Sequence, residues 1–152
     1  MQTPRKLILR NFQSPGDIVM LTAAVRDLKR AQGAAVEIDV RTSGGQLWEN
    51  NPHLTPLRDD DADVEKIDCH YPLIHRSNTG PWHFIHGFTQ FLGERLGLPI
   101  APTEFKGDIH LSKKEKAWMS QVQEVTRVPV PFWIVAAGGK YDFTAKWWEH
   151  AR

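Results

Sequence analysis

The first 40 residues of the chain carry a strand, a helix start and a second strand in close succession. Residues 6–10, Lys-Leu-Ile-Leu-Arg, form a short apolar run bounded by charge, which is typical of a strand buried in a parallel sheet. Ser14 suits the N-cap of a helix, Pro15 suits its first position, and Gly33 suits its end. Residues 36–40, Val-Glu-Ile-Asp-Val, alternate as a second strand. Because strands joined by a helix pair in parallel, this segment predicts an α/β fold.

The predicted first helix has one apolar stripe, which indicates the face that packs on the sheet. Its members recur at 3-4-3 spacing and are Ile18, Leu21, Val25 and Leu28.

Composition excludes several classes of protein. Hydrophobic residues make up 41% of the 152 residues, which predicts a folded globular chain rather than a disordered one. The 19 Lys and Arg residues nearly balance the 18 Asp and Glu residues, so we expect no nucleic-acid partner. The single cysteine, Cys69, cannot form an internal disulfide, and no signal peptide or apolar run of about 20 residues is present. We therefore expect a soluble cytoplasmic protein without a transmembrane segment, and leave peripheral contact with the inner face of the membrane open.

The middle of the chain shows weaker patterns. Residues 59–63 predict a solvated acidic loop, and residues 64–71 predict a third strand. Residues 82–96 have helical apolar spacing, and Gly97 follows as a cap. A capping box at residues 112–115 predicts a helix that runs to about Thr126.

The last part of the chain resembles the start of another strand–loop–helix unit. Residues 128–131, Val-Pro-Val-Pro, form a stiff connector and predict a domain boundary. Residues 132–137 predict a buried strand, residues 138–143 a loop, and Thr144 the cap of a final helix.

Asp17 is the first candidate for chemistry. It lies in the first helical turn after the first strand, at the sheet edge where α/β proteins bind ligands, and it could accept a proton as a general base. From spacing alone a structural role is favoured, because free N–H groups and the helix dipole stabilise a carboxylate in the first turn of a helix. The loop lacks the G-x-G-x-x-G pattern, which argues against a dinucleotide site at this turn.

A second candidate is a phosphate cradle near the end of the chain. Gly138, Gly139 and Lys140 follow the predicted strand, and Thr144 and Lys146 lie at the next helix start. Exposed N–H groups, a hydroxyl and two ammonium groups suit a bound anion. The alternative is that both lysines simply point into water.

The histidines do not predict a metal centre. His70, His75, His83 and His86 cluster in sequence, but no H-E-x-x-H or Cys/His pattern accompanies them. A role for one of these histidines in an acceptor pocket stays an open alternative. We predict no metal site.

These motifs resemble family 9 glycosyltransferases, the ADP-heptose:lipopolysaccharide heptosyltransferases and their relatives. The resemblance rests on residues 7–29, on residues 36–40 with the turn at 50–53, and on residues 138–148. It is weak between residues 58 and 106, and Trp148 stands where the family commonly has proline.

The resemblance implies the N-terminal half of a GT-B glycosyltransferase with a Rossmann-like parallel sheet. Residues 1–128 would form the acceptor-side domain, and residues 129–152 the first strand, loop and helix of an incomplete donor-nucleotide domain whose remainder is missing. It implies inverting transfer of a heptose-like sugar from an ADP-sugar to a glycan or lipopolysaccharide-type acceptor, without metal or cofactor. On this basis the chain by itself is expected to be inactive.

The resemblance also assigns roles to residues. Asp17 would be the catalytic base, and Asn11, Ser14 and Gly16 would bind the acceptor. The donor diphosphate would be held by Gly138, Gly139, Lys140, Thr144 and Lys146. The alternative function is a non-catalytic α/β module that binds phosphate or a nucleotide, or a subunit of a split assembly.

Overall fold

The computed structural model describes residues 3–70 and 83–134. The chain divides into two compact units, Met1–Lys113 and Lys114–Arg152. The domain boundary predicted between residues 128 and 129 lies inside the second unit and stays a prediction. The predicted phosphate cradle and His75 lie outside the described residues.

The first unit contains a three-stranded parallel sheet in the order β2-β1-β3. The strands are β1 (Arg5–Asn11), β2 (Val36–Thr42) and β3 (Val64–Asp68). In the register, Asn11 lies opposite Thr42 and Arg10 opposite Asp68, so all three strands end at one edge. The predicted α/β class is confirmed, and the parallel sheet is compatible with a Rossmann-like fold.

Among the described residues of the first unit, two α-helices accompany the sheet, α1 (Pro15–Gln32) and α2 (Phe84–Leu96). The predicted boundaries of α1 are confirmed, with Ser14 as N-cap and Gly33 at the C-cap. Gly97 ends α2 in the left-handed conformation at φ 66°, as predicted. The apolar stripe of α1 is buried with the central strand and α2 in one core, whose largest members include Leu7, Leu9, Ile18, Leu21, Val25, Leu28, Ile38, Ile67, Phe88 and Leu92.

A segment without regular structure, residues 103–110, is fastened along α1 by buried polar groups. The Arg26 guanidinium donates to the carbonyls of Glu104 (2.9 Å) and Lys106 (3.0 Å), and it also pairs with Asp27. Further along, the backbone N–H of Asp108 donates to Thr22 Oγ1 at 2.8 Å. These bonds fix the course of a chain segment that has no strand or helix of its own.

The single helix predicted for residues 112–126 is wrong in one respect, because the helix is broken. Two short helices are present, α3 (Lys113–Lys116) and α4 (Gln121–Thr126). Ser120 takes an extended conformation and its Oγ accepts the N–H of Gln123 at 3.1 Å. A serine that caps a new helix competes with continuation of the old one.

The strand predicted for residues 132–137 is not present over its described part. Phe132, Trp133 and Ile134 lie in no strand and are exposed, Trp133 almost completely. A strand needs a partner for its N–H and C=O groups, and no strand within residues 3–70 or 83–134 pairs with this segment.

Candidate functional site

The loop that follows β1 lies at a topological switch point. The chain leaves β1 for β2 on one side and later returns to place β3 on the other side. In parallel α/β sheets, ligands bind outside the carboxyl ends of the strands at such a reversal. The loop of residues 11–14 and the residues after β3 meet at this point, because Asn11 Nδ2 donates to the Cys69 carbonyl at 3.0 Å.

Asn11, predicted to bind an acceptor, is buried, and its side chain forms hydrogen bonds within the protein. Its Nδ2 contacts Cys69 and Gln13, and its Oδ1 accepts the Gln13 N–H at 2.8 Å. Ser43 reinforces the loop, since its Oγ donates to the Gln13 carbonyl at 2.7 Å. The Asn11 side chain therefore stabilises the conformation of the loop. Contact of this side chain with an acceptor stays a prediction.

The Asp17 carboxylate is engaged with the helix N-cap. Its Oδ2 accepts the Ser14 N–H at 3.2 Å and the Ser14 Oγ–H at 2.6 Å. Over the described part of the chain, no hydrogen bond reaches the other oxygen, Oδ1. Gly16 is exposed, and a Cβ on it would meet only Ser14 Oγ at 3.9 Å. Asp17 thus caps its own helix through one oxygen, Oδ2.

An open pocket of about 520 Å³ lies at the carboxyl end of β2, beside the β1 loop. Phe12, largely exposed, forms part of its wall with Trp48, whose indole N–H donates to Thr42 Oγ1 at 3.0 Å. The full lining is Phe12, Asp39, Val40, Arg41, Thr42, Gly45, Trp48, Glu49 and Leu54. Asp17 is not part of this lining.

The charge of Arg41 in this pocket is balanced by carboxylates. Its guanidinium lies 2.9 Å from Asp39 and 2.8 Å from Asp59, and the hydrogen bond with Asp39 is the main cause that raises the pKa of Arg41. A pocket with aromatic walls and a compensated cation suits a neutral, hydroxyl-rich ligand better than a diphosphate.

A cluster of His53, Asp108 and His110 lies outside the site residues predicted from the sequence. Asp108 Oδ2 lies 2.9 Å from His110 Nε2 and 3.3 Å from His53 Nε2. The two imidazoles meet edge to face with centroids 6.0 Å apart. Burial is the main cause that lowers the pKa of His53, although Asp108 acts in the opposite direction. The signal was Asp108-x-His110, since alternate residues of an extended segment share a face.

The histidines singled out from the sequence have other surroundings. His83 is the N-cap of α2, and its Nδ1 accepts the Ile85 N–H at 3.2 Å. His83 and His86 both pack against Phe105, with centroids 5.5 and 5.4 Å from its ring. His70 is exposed after β3.

Comparison with known proteins adds no similarity that bears on this site. No protein-family profile, no curated protein and no solved structure matches the chain. Among the helices of residues 3–70 and 83–134, none is long and apolar enough to cross a membrane.

Proposed function

We propose that this chain is the acceptor-side portion of an inverting glycosyltransferase that moves a heptose-like sugar from an ADP-sugar to a glycan or lipopolysaccharide-type acceptor. The observation that carries the proposal is the position of the Asn11–Asp17 loop at the switch point of a parallel sheet, next to a pocket with aromatic walls. The resemblance of residues 7–29 to family 9 glycosyltransferases points to the same loop.

The proposed reaction needs one base on the acceptor side. Asp17 Oδ1 takes the proton of an acceptor hydroxyl while that oxygen attacks the anomeric carbon of the donor sugar. The bond from this carbon to the diphosphate breaks, and ADP leaves with the electron pair. Because the attack comes from the face opposite the leaving group, the anomeric configuration inverts.

The hydrogen bonds at Ser14 support this role by orienting the carboxylate. With Oδ2 held by two donors of one residue, Oδ1 has a defined direction, and a positioned base needs no reorientation at the moment of reaction. The family resemblance implies that Lys146 and Thr144 supply the other half of the chemistry. They would stabilise the charge that builds up on the diphosphate.

The pocket beside Phe12 supports a sugar acceptor over a nucleotide. Carbohydrate rings pack their C–H faces on aromatic side chains, and Phe12 is exposed in this position. Asp39 and Asp59 balance the positive charge of Arg41, so this residue adds no excess positive charge that would attract a phosphate.

The test is transfer by the full-length protein that carries this chain, measured as ADP released from ADP-heptose with a lipopolysaccharide inner-core acceptor. Asp17→Asn should abolish transfer, and Asp63→Asn, which changes an exposed loop carboxylate, is the matched control. More than a tenth of wild-type activity in Asp17→Asn would rule out the proposed base.

A second candidate function is a non-catalytic module that binds a nucleotide or phosphate. In this alternative, the two hydrogen bonds from Ser14 to Asp17 serve only to cap the helix. Calorimetric titration separates the two proposals. Tight ADP binding by the 152-residue chain, with Asp17→Asn equal to wild type, supports the module, whereas glycan binding without ADP binding supports the acceptor domain.

A further inference from the structure

The cluster of His53, Asp108 and His110 brings together two distant parts of the first unit. His53 lies in the turn after Trp48, and the other two residues lie in the irregular segment that runs along α1. One imidazole or carboxylate atom from each of the three lies within 4.8 Å of the other two. Two nitrogen atoms and one oxygen atom thus converge on a single point.

The spacing of these atoms fits a small cation. Two metal bonds of about 2.0–2.1 Å at a tetrahedral angle place their ligand atoms about 3.3 Å apart. Asp108 Oδ2 lies 3.3 Å from His53 Nε2 and 2.9 Å from His110 Nε2. Both separations are close to the distance expected between two ligand atoms of one metal ion.

The backbone on both sides of the cluster is held by two asparagines. Asn51 Oδ1 accepts the His53 N–H at 2.9 Å, and its Nδ2 donates to the Asp108 carbonyl at 3.4 Å. Asn50 Nδ2 donates to the His110 carbonyl at 3.3 Å. Asn51 therefore connects both halves of the cluster through its one side chain and holds together the backbone segments that carry the ligands.

Access and surroundings also suit a metal. The three side chains are between 16% and 31% exposed, so an ion can enter from solvent while most of its shell is protein. Ile109 and Leu111 alternate with the ligands and point outward, which leaves Asp108 and His110 on one face.

We propose that His53, Asp108 and His110 bind one first-row transition-metal ion of the Zn²⁺ class, with the fourth coordination position open to water. Two imidazoles favour such a metal over Mg²⁺ or Ca²⁺, which prefer oxygen ligands. The bound ion links the turn at residues 50–53 to the segment along α1. The site is independent of the proposed transferase function, because Asp17 and Ser14 supply no ligand to it.

The experiment is calorimetric titration of Zn²⁺ into the full 152-residue chain, after its metal has been removed with a chelator. We expect one equivalent per chain and a rise in Tm, since the ion binds the folded state. Co²⁺ in place of Zn²⁺ should give the visible absorption of a four- or five-coordinate ion. Mg²⁺ should produce neither effect.

Two variants and one control locate the binding. His53→Ala and Asp108→Asn should each weaken Zn²⁺ binding more than about tenfold, since loss of outer-shell partners alone costs 10- to 100-fold. His70→Ala, which removes an exposed imidazole elsewhere, should bind as wild type does. Asp108→Asn keeps the side-chain shape, so it answers the question if His53→Ala does not fold.

The proposal is overturned if Zn²⁺ does not bind, or if both ligand variants retain wild-type affinity. In the first case the cluster is only a contact of two imidazoles with one carboxylate. In the second case the ion binds elsewhere on the chain.

Discussion

Arg26 and Asp27 are neighbours in sequence and form an ion pair in the interior, with Arg26 Nε 3.0 Å from Asp27 Oδ1 and both side chains almost completely buried. The remaining donors of Arg26 bind two backbone carbonyls, and Asp27 Oδ1 also accepts the Thr103 hydroxyl at 2.6 Å. A charge pair of this kind is tolerated in a core only because every partner is satisfied. It fastens residues 103–106 to α1 and so sets the path toward Asp108.

Removal of Arg26 should be among the most destabilising changes in this chain. Arg26→Ala leaves the Asp27 carboxylate buried without its counter-charge, and we expect a loss of about 3–5 kcal/mol in the free energy of unfolding. Urea denaturation measures it. Arg30→Ala, which removes a half-exposed ion pair with Glu104, should cost no more than about 1 kcal/mol. Equal losses in the two variants would contradict the buried-pair interpretation.

Gly107 marks a close approach between the extended segment and α1. A Cβ at this position would lie 2.5 Å from Val19 Cγ1 and 3.3 Å from the Val19 carbonyl oxygen. Gly107→Ala should therefore cost about 1–3 kcal/mol, because the stiff valine and the helix backbone must shift. Gly45→Ala, where a Cβ would meet nothing within 4 Å, is the control and should stay near wild type by thermal denaturation. A wild-type Tm for Gly107→Ala would disprove the contact.

Substitutions at Ser14 and Asp17 distinguish the capping role of these two residues from the proposed catalytic role of Asp17. Ser14→Ala and Asp17→Asn should each lower the free energy of unfolding by about 1 kcal/mol, because both weaken the N-terminus of α1. Transfer activity should fall strongly in Asp17→Asn and only modestly in Ser14→Ala, where the carboxylate remains. Parallel losses of activity in both variants would point to the cap alone.

Cys69 should be an unreactive thiol in the folded chain. Burial raises its pKa to about 12, so at pH 8 only about one thiol in 10⁴ is ionised. We expect alkylation by iodoacetamide to be at least about 100-fold slower in buffer than in denaturant. As this is the single cysteine of the chain, mass spectrometry gives an unambiguous result. Similar rates in both conditions would show that the thiol is accessible.

A substitution of Lys146 tests the proposed binding of the donor diphosphate, which rests on the sequence alone. Lys146→Ala in the full-length protein should weaken donor binding mainly through the diphosphate, so affinity for ADP should fall together with affinity for the ADP-sugar. Isothermal titration measures both. An unchanged donor affinity would argue against the phosphate cradle.

The sheet and its helices could be predicted because their signals are local. The apolar run of β1, the Ser14–Pro15 start of α1 and the Gly97 end of α2 each depend on a few neighbouring residues. The broken helix at residues 117–120 was missed because Ser120 can cap a new helix as readily as it can extend an old one.

Local sequence patterns were sufficient to predict the βαβ unit and the position of Asp17 in the first turn of its helix. Long-range contacts in the folded chain established the order β2-β1-β3, the irregular path of residues 103–110 along α1 and the contact of His53 with Asp108 and His110. The physical reason is that helix caps and apolar periodicity act over a few residues. Contacts between distant segments depend instead on which buried partners, such as Arg26 and Asn51, hold the chain in place.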